Sequence, residues 1–351
     1  MSRIATLTEP DQNLAWEEAL LAYPGAELAH TWEWGGLIQA VYGYQPLYDL
    51  LTTPGAPPVP VTAFYARTCL SGKKITTMPF MFQAPLLRPD AAEPVLNHLI
   101  CLAQSRQAYV ELKLRAPLPT DVIEHFQLQE LTTSVYSAMP LAGSTAAQQD
   151  AYPKNLRQNL KRSQNRLARE TGFTLSTETN AETITLFHHC MMRMYRDKDH
   201  MPCQPLALLL EIYRRFGAHV RLFSAWEGQC LVSGIFATAY GDRVEYAWGA
   251  TQAGYEKWNF PLLLLDQTAA WGIERGCRTM SFGCSSAEDT GLLTFKARWG
   301  CTQTPVYHYY HGKHIQPVSL TNKDTISRKL YAGLPLPLIQ AMLPVVVPQL
   351  G

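Results

Sequence analysis

The residues best suited to chemistry stand in the second half of the 351-residue chain. In Arg243-Val244-Glu245-Tyr246-Ala247-Trp248 the two-residue period of a β-strand sends Tyr246 and Trp248 to one face and Glu245 to the other. With one face lining a cleft, Tyr246 would orient an acceptor and Glu245 would take a proton from an incoming amine, provided that exclusion of water raises its pKa. The competing reading puts both aromatics in a core and leaves Glu245 in solvent. Basic side chains gather in residues 154–169, where Lys154, Arg157, Lys161, Arg162, Arg166 and Arg169 surround the apolar stripe Leu156, Leu160 and Leu167. This one-sided charge suits tRNA phosphates or an anionic lipid-linked precursor, with a plain solvated helix face as the alternative.

Other chemistries have no residues to carry them. The chain contains no Gly-x-Ser-x-Gly elbow, no Walker loop and no Gly-x-Gly-x-x-Gly, so hydrolase, ATPase and dehydrogenase readings lack support. Eight cysteines at 69, 101, 190, 203, 230, 277, 284 and 301 include no Cys-x-x-Cys pair, and they read as reduced core thiols. His188 and His189 diverge on a helix, and His308, His311 and His314 lie in an aromatic strand-like run, so no metal site is expected. A net charge of +1 leaves no global field for a polyanion, and DNA is not an expected partner. The N-terminal segment has acidic residues in its first apolar stretch and no signal-peptide pattern, so a cytoplasmic location is expected. Residues 334–350 are apolar but broken by Pro335, Pro337, Pro344 and Pro348; the segment is expected to pack on the body, with peripheral membrane contact as the other possibility.

Positioning these residues falls to an α/β chain in two rounds. Helices are expected over 12–22 and to Val41, strands over 48–52, 59–67 and 74–78, a helix over 91–104 and a strand over 109–114. Residues 142–151, small and polar, read as a linker. The second round gives a helix over 154–170, a strand over 173–177 and helices over 181–196 and 205–216. Strands follow over 220–226, 229–240 and 243–250, joined by the hairpin signals Glu227-Gly228 and Gly241-Asp242. A helix over 261–275 capped by Gly276 then leads to strands over 279–283 and 304–310. This order is that of the GNAT fold, whose sheet splays to leave a cleft for an acyl donor and an amine. The expected domains are 1–145 and 152–320, both GNAT-like, with a Pro-rich apolar tail at 321–351.

Two blocks carry a family resemblance. Residues 154–166, closing on Gly172-Phe173-Thr174-Leu175, resemble the basic helix and strand that open the second domain of FemAB-like proteins. Asn259-Phe260-Pro261 through Gly276, Ser281-Phe282-Gly283 and Gly291 through Lys296-Ala297-Arg298-Trp299-Gly300 are similar to that family's C-terminal signature. His30-x-x-x-Trp34, Met78-Pro79-Phe80 and residues 109–113 match more loosely. The resemblance implies tandem GNAT-like domains, amide-bond formation, and a cleft in the second half and at the domain junction. No heptad insertion follows the basic helix, which places the chain nearer the compact members.

The same resemblance implies roles. Lys296 would lie near donor phosphate and the reacting carbonyl, the alternative being a solvated lysine between Phe295 and Trp299. Arg193 and Tyr195 fall where the family contacts acceptor phosphates, although an arginine at a helix end also complements the dipole. Trp34, Phe80 and Trp248 are assigned to substrate binding, and Ser285 and Asp289 form a polar loop before Lys296. Donor contacts are assigned to Lys257, Asn259, Arg162 and Arg166. The segment Tyr255-Glu256-Lys257-Trp258-Asn259-Phe260-Pro261 departs from the glycine-rich pyrophosphate loop of CoA-using GNATs. The expected function is transfer of an acyl or aminoacyl group, from aminoacyl-tRNA or acyl-CoA as co-substrate with no tightly bound cofactor, to an amine of an envelope precursor. An acetyl-CoA-dependent acetyltransferase and a non-catalytic scaffold are the alternatives.

Overall fold

The structure, a computed structural model, describes residues 3–7, 12–23, 26–77, 79, 91–170, 172–316 and 325–350. Strand β1 (Arg3–Leu7) and helices α1 (Asn13–Leu21) and α2 (Trp32–Tyr42) precede the first meander, β2 (Gln45–Thr53), β3 (Ala56–Thr68) and β4 (Gly72–Thr76). Helix α3 (Ala92–Ser105) crosses to β5 (Tyr109–Leu114), which runs parallel to β4. Then come α4 (Thr120–His125), β6 (Gln129–Pro140), α5 (Thr145–Ala151) and α6 (Lys154–Arg169). The second round opens with β7 (Phe173–Ser176), α7 (Ala181–Met194) and α8 (Leu206–Phe216), followed by the meander β8 (Val220–Glu227), β9 (Cys230–Tyr240) and β10 (Arg243–Thr251). Helix α9 (Phe260–Glu274) crosses to β11 (Thr279–Ser286), parallel to β10, and α10 (Thr290–Ala297), β12 (Thr302–His311), α11 (Ile326–Ala332) and α12 (Leu336–Leu350) complete the chain.

The strands form one mixed sheet in the order β1-β2-β3-β4-β5-β12-β6-β11-β10-β9-β8-β7. The two rounds exchange their last strands. β6 lies between β11 and β12, and β12 lies between β5 and β6, so that Tyr136 stands opposite both Cys284 and Thr304. The order reads β4-β5-β12-β6 from one side and β10-β11-β6-β12 from the other, an approximate two-fold repeat about the β12–β6 pair. Each round therefore completes the other's sheet with backbone hydrogen bonds.

Helices cover both faces in the second half, which is why β9 reads as a nearly continuous apolar run and is buried from Leu231 to Ala239. On one face α6 and α9 pack Leu160, Leu264 and Ala269 against Val244, Met280 and Phe282. On the other, α7 and α8 meet α2 and α12 in a cluster that includes Phe187, Leu209, Trp34, Leu37 and Leu343. Gly234 of β9 permits that approach, because a Cβ there would stand 2.5 Å from the Phe187 ring.

Several expectations are corrected. The linker at 142–151 contains α5, capped by Ser144 Oγ accepting from the Ala147 amide. Cys69, Cys101 and Cys230 are exposed rather than core thiols. The tail, for which no secondary structure was expected, is helical in spite of its prolines. Pro335 and Pro337 fall at the start of α12, where an amide is dispensable, and Pro344 and Pro348 lie within it. Burial of Ile339, Leu343 and Val347 holds the helix, each worth about 2 kcal/mol, and Tyr44 Oη donates to the Pro348 carbonyl at 2.5 Å.

Candidate active site

β10 and β11 pair only through Arg243–Thr279, Val244–Met280 and Glu245–Ser281. Beyond that point β10 follows β9 as far as Thr251, while β11 continues along β6. Both strands are irregular where they part. β10 is bulged between Tyr246 and Trp248, which takes the Ala247 amide out of the regular ladder. β11 is bulged between Ser281 and Cys284, with Gly283 at φ +65°. Residues 245–249 are all partly exposed although β10 is an interior strand and its neighbour β9 is buried. A gap in the sheet accounts for this accessibility.

Lys296 lies beside the gap. It is 2% exposed, and its Nζ donates to the Gly283 carbonyl at 3.1 Å. Burial lowers its pKa to about 8, partly offset by Cys284, Cys301 and Asp289. The alternative of a solvated lysine is thereby excluded. Cys284, whose thiol burial pushes up to about 12, is within electrostatic reach of Lys296, Arg115, Glu245 and Lys113 and so brings these groups together. Tyr246 is pushed up to about 12 by burial, and its ring meets Phe282 edge-on at 6.0 Å. Tyr195 sits in the π-turn Tyr195–Asp199 that extends α7. Burial, then Cys203, Asp199 and Tyr246, raise its pKa, so the two phenols converge from α7 and β10.

Other expected site residues are placed differently. Trp34 is 2% exposed in the core beside Phe216, which corrects its assignment to a binding surface. Asp289 caps α10, accepting from the Leu292 amide at 2.9 Å, so its carboxylate is engaged structurally. Trp248 packs on Phe236 at 5.8 Å with part of its surface open. Ser285 is buried and its Oγ has no partner among the described residues. Arg193 is exposed on the last turn of α7. Phe80 lies outside the described residues.

The donor residues form a second group. Arg166 donates to the Lys257 carbonyl at 2.7 Å and lies 4.2 Å from the Trp258 ring centre, joining α6 to the loop before α9. Arg162, Arg166 and Arg169 line a groove of about 410 Å³ with Asn165 and Glu170. Asn259, in the left-handed region at φ 54°, precedes α9. A CoA pyrophosphate would need amides from this loop, and most are engaged: Gly254 donates to Glu256 Oε2, Tyr255 to Gln252, Trp258 to Tyr255 and Asn259 to Glu256. Pro261 has no amide, and the Glu256 carboxylate opposes an incoming phosphate. The loop does not fit a pyrophosphate cradle.

One cluster escaped the sequence. Glu27 Oε1 accepts from Arg243 Nη1 at 2.5 Å and from Arg115 Nη2, while Arg243 Nη1 also reaches Tyr136 Oη at 2.7 Å. Arg115 stacks on the Tyr136 ring at 4.2 Å. This buried network borders Glu245 and Cys284 and ties the first half to the start of β10. Its members are spread from residue 27 to 243, and only the tertiary fold assembles them.

Residues 154–296 match the family model described as Acetyltransferase (GNAT) domain. The whole chain resembles the solved structure of FemX with a TM-score of 0.66, at 12% identity, covering 87% of this chain and 96% of that one. L-PGS from Bacillus licheniformis gives 0.56 at 14% identity over 93% and 98% of the two chains. A tandem GNAT protein from the clavulanic acid biosynthesis pathway gives 0.56 at 11% over 90% and 100%. No curated protein matches the sequence. The fold is therefore that of the GNAT acyltransferases. More narrowly, the match to the GNAT domain model falls on residues 154–296, and the chain shares with FemX a fold that extends over most of both chains.

Proposed function

We propose that this chain is an N-acyltransferase that moves an acyl or aminoacyl group from an activated carrier to an amine of a cell-envelope precursor or related sugar or peptide. The reading takes 1–145 and 152–320 as two GNAT-like halves, with reaction in the second. The observation that carries it is the parting of β10 from β11 beside a buried lysine. In the gap the amine nitrogen attacks the carrier's ester or thioester carbonyl and forms the new C–N bond. Glu245 accepts the proton lost by the nitrogen, and the Ala247 amide and Lys296 stabilise the developing oxyanion. The C–O or C–S bond to the carrier then breaks, and Glu245 returns the proton it accepted to the departing oxygen or sulfur, so that the carrier leaves neutralised and the carboxylate is restored.

Engagement of the loop amides favours an aminoacyl ester or another carrier over CoA. Acetyl-CoA is the second reading, supported by the GNAT family match. Heat stability measured with acetyl-CoA, charged tRNA and a nucleotide-sugar precursor separates them, since a ligand at about a hundred times its Kd stabilises by about 2.7 kcal/mol. A response to charged tRNA or the precursor is expected. A response to acetyl-CoA alone supports the second reading, and silence to all three supports a scaffold.

A further inference from the structure

The outward side of the C-terminal helices exposes large apolar residues, interrupted at Ser327, Lys329 and Gln340. Ile326 and Leu330, one turn apart on α11, are 79% and 68% exposed, and Leu338 and Val345, two turns apart on α12, are 47% and 67% exposed. Helix α12 has no charged residue, and the stretch 325–350 has no acidic one; its charges are Arg328 and Lys329, both on α11. A helix packed on a water-soluble body ordinarily turns a polar face outward. An apolar outer face with basic residues at one end instead suits the interface of a bilayer with anionic headgroups. Fifteen residues of helix reach ~22 Å, short of the ~30 Å hydrocarbon core. No described helix is long and apolar enough to cross a membrane. The inner row of α12 is committed to the core, so the helix would lie along a bilayer with its outer row facing the lipid.

We infer that α11 and α12 dock the protein on the surface of an anionic phospholipid bilayer, which presents the gap between β10 and β11 with a lipid-linked acceptor. The docking stands on the surface just described; the acceptor rests on the proposed acyl transfer. The two connect through packing. Tyr331, next to Leu330, joins the core cluster that also holds Tyr195, and it lies within electrostatic reach of Arg196 and Cys203. Tyr195 in turn approaches Tyr246 in the gap. The helix whose Ile326 and Leu330 would touch the bilayer thus packs on the turn that borders the site.

Co-sedimentation with vesicles tests the docking without reference to activity. The full chain is expected to bind vesicles of phosphatidylcholine mixed with phosphatidylglycerol about ten-fold more strongly than vesicles of phosphatidylcholine alone, and to be released by salt. The double variant Ile326→Ser/Leu330→Ser, altered only at exposed positions, is expected to lose about ten-fold in partition with an unchanged melting temperature. Arg328→Gln should weaken anionic binding alone. Equal binding to both vesicles, no binding to either, or undiminished binding by the double variant overturns the inference. So does light scattering that shows a dimer dispersed by the same substitutions, since the face would then bind a second copy. Vesicle binding without acyl transfer would leave the docking intact and reject the acyltransferase reading.

Discussion

Lys296 Nζ and the carbonyl of Gly283 are joined by a 3.1 Å hydrogen bond across the point where β11 bulges away from its regular pairing. The bond ties the cation of α10 to the backbone irregularity that borders the gap. An ammonium has three N–H groups, so one bond to a carbonyl leaves it able to serve a second acceptor. Replacement by methionine keeps the volume and removes the charge. Lys296→Met is expected to lower kcat about 100-fold or more, the usual effect of losing one oxyanion donor, while the protein stays folded. Wild-type turnover in this variant would remove Lys296 from the reaction.

The same lysine gives opposite pH trends for stability and rate. In the unfolded chain it titrates near 10.5, and in the fold burial brings it to about 8. Between those values the unfolded state binds more protons, so the lysine's unfavourable contribution is full below pH 8 and is relieved as pH rises toward 10.5. The relief amounts to about 3 kcal/mol. Activity that needs the ammonium instead falls as pH climbs through 8. Denaturation of wild type and Lys296→Met at pH 7 and pH 10 should show their stability gap moving in favour of wild type at the higher pH. Parallel profiles would mean that the lysine is not desolvated.

Glu27 offers a test of how the halves are held. Residue Glu27 is 3% exposed and its carboxylate bridges Arg115 and Arg243, and Arg243 donates in turn to Tyr136 Oη. Loss of one member of a buried ionic group leaves the others uncompensated, so Glu27→Gln is expected to cost about 3 kcal/mol in chemical denaturation. Adding Arg243→Gln should cost less in the Glu27→Gln background than in wild type, because the partner charge is already gone. Strictly additive losses would show that the bridge carries no coupling.

Much of the second half was legible because local signals agreed there. Gly228 and Gly241 take positive φ at the hairpins β8–β9 and β9–β10, and Gly276 does the same after α9, so the strands and crossover helix fall close to where periodicity puts them. β6 was not legible. Its first half, Gln129-Glu130-Leu131-Thr132-Thr133-Ser134, lacks a clean apolar alternation, and its partners β11 and β12 lie well over a hundred residues away. Long-range pairing overrides local propensity in such a strand. The site shows the same division. Residue types at Glu245 and Tyr246, and the resemblance at Lys296, suggested chemistry, yet the burial of Lys296 and the arrival of Arg115 and Glu27 are products of tertiary packing. The helical state of the tail was not legible either, since it rests on tertiary burial of Ile339 and Leu343, which outweighs the amides missing at its prolines.

Gly249 separates the packing of Tyr246 from its chemistry. A Cβ on Gly249 would stand 2.3 Å from Tyr246 Oη and 2.8 and 2.9 Å from two ring carbons, so the glycine provides the space in which the ring lies. Alanine must therefore displace the ring from its edge contact with Phe282, at an expected cost of about 1–3 kcal/mol. Tyr246→Leu with Gly249→Ala gives the new methyl group room by removing the ring. If Tyr246 orients the acceptor, this double variant should regain much of the stability lost in Gly249→Ala while its kcat/KM stays about ten-fold or more below wild type. Phenylalanine is a poor partner for this test, because the two ring-carbon clashes would persist. Recovery of both stability and kcat/KM in the double variant would confine Tyr246 to packing and leave Glu245 and Lys296 as the groups in the gap.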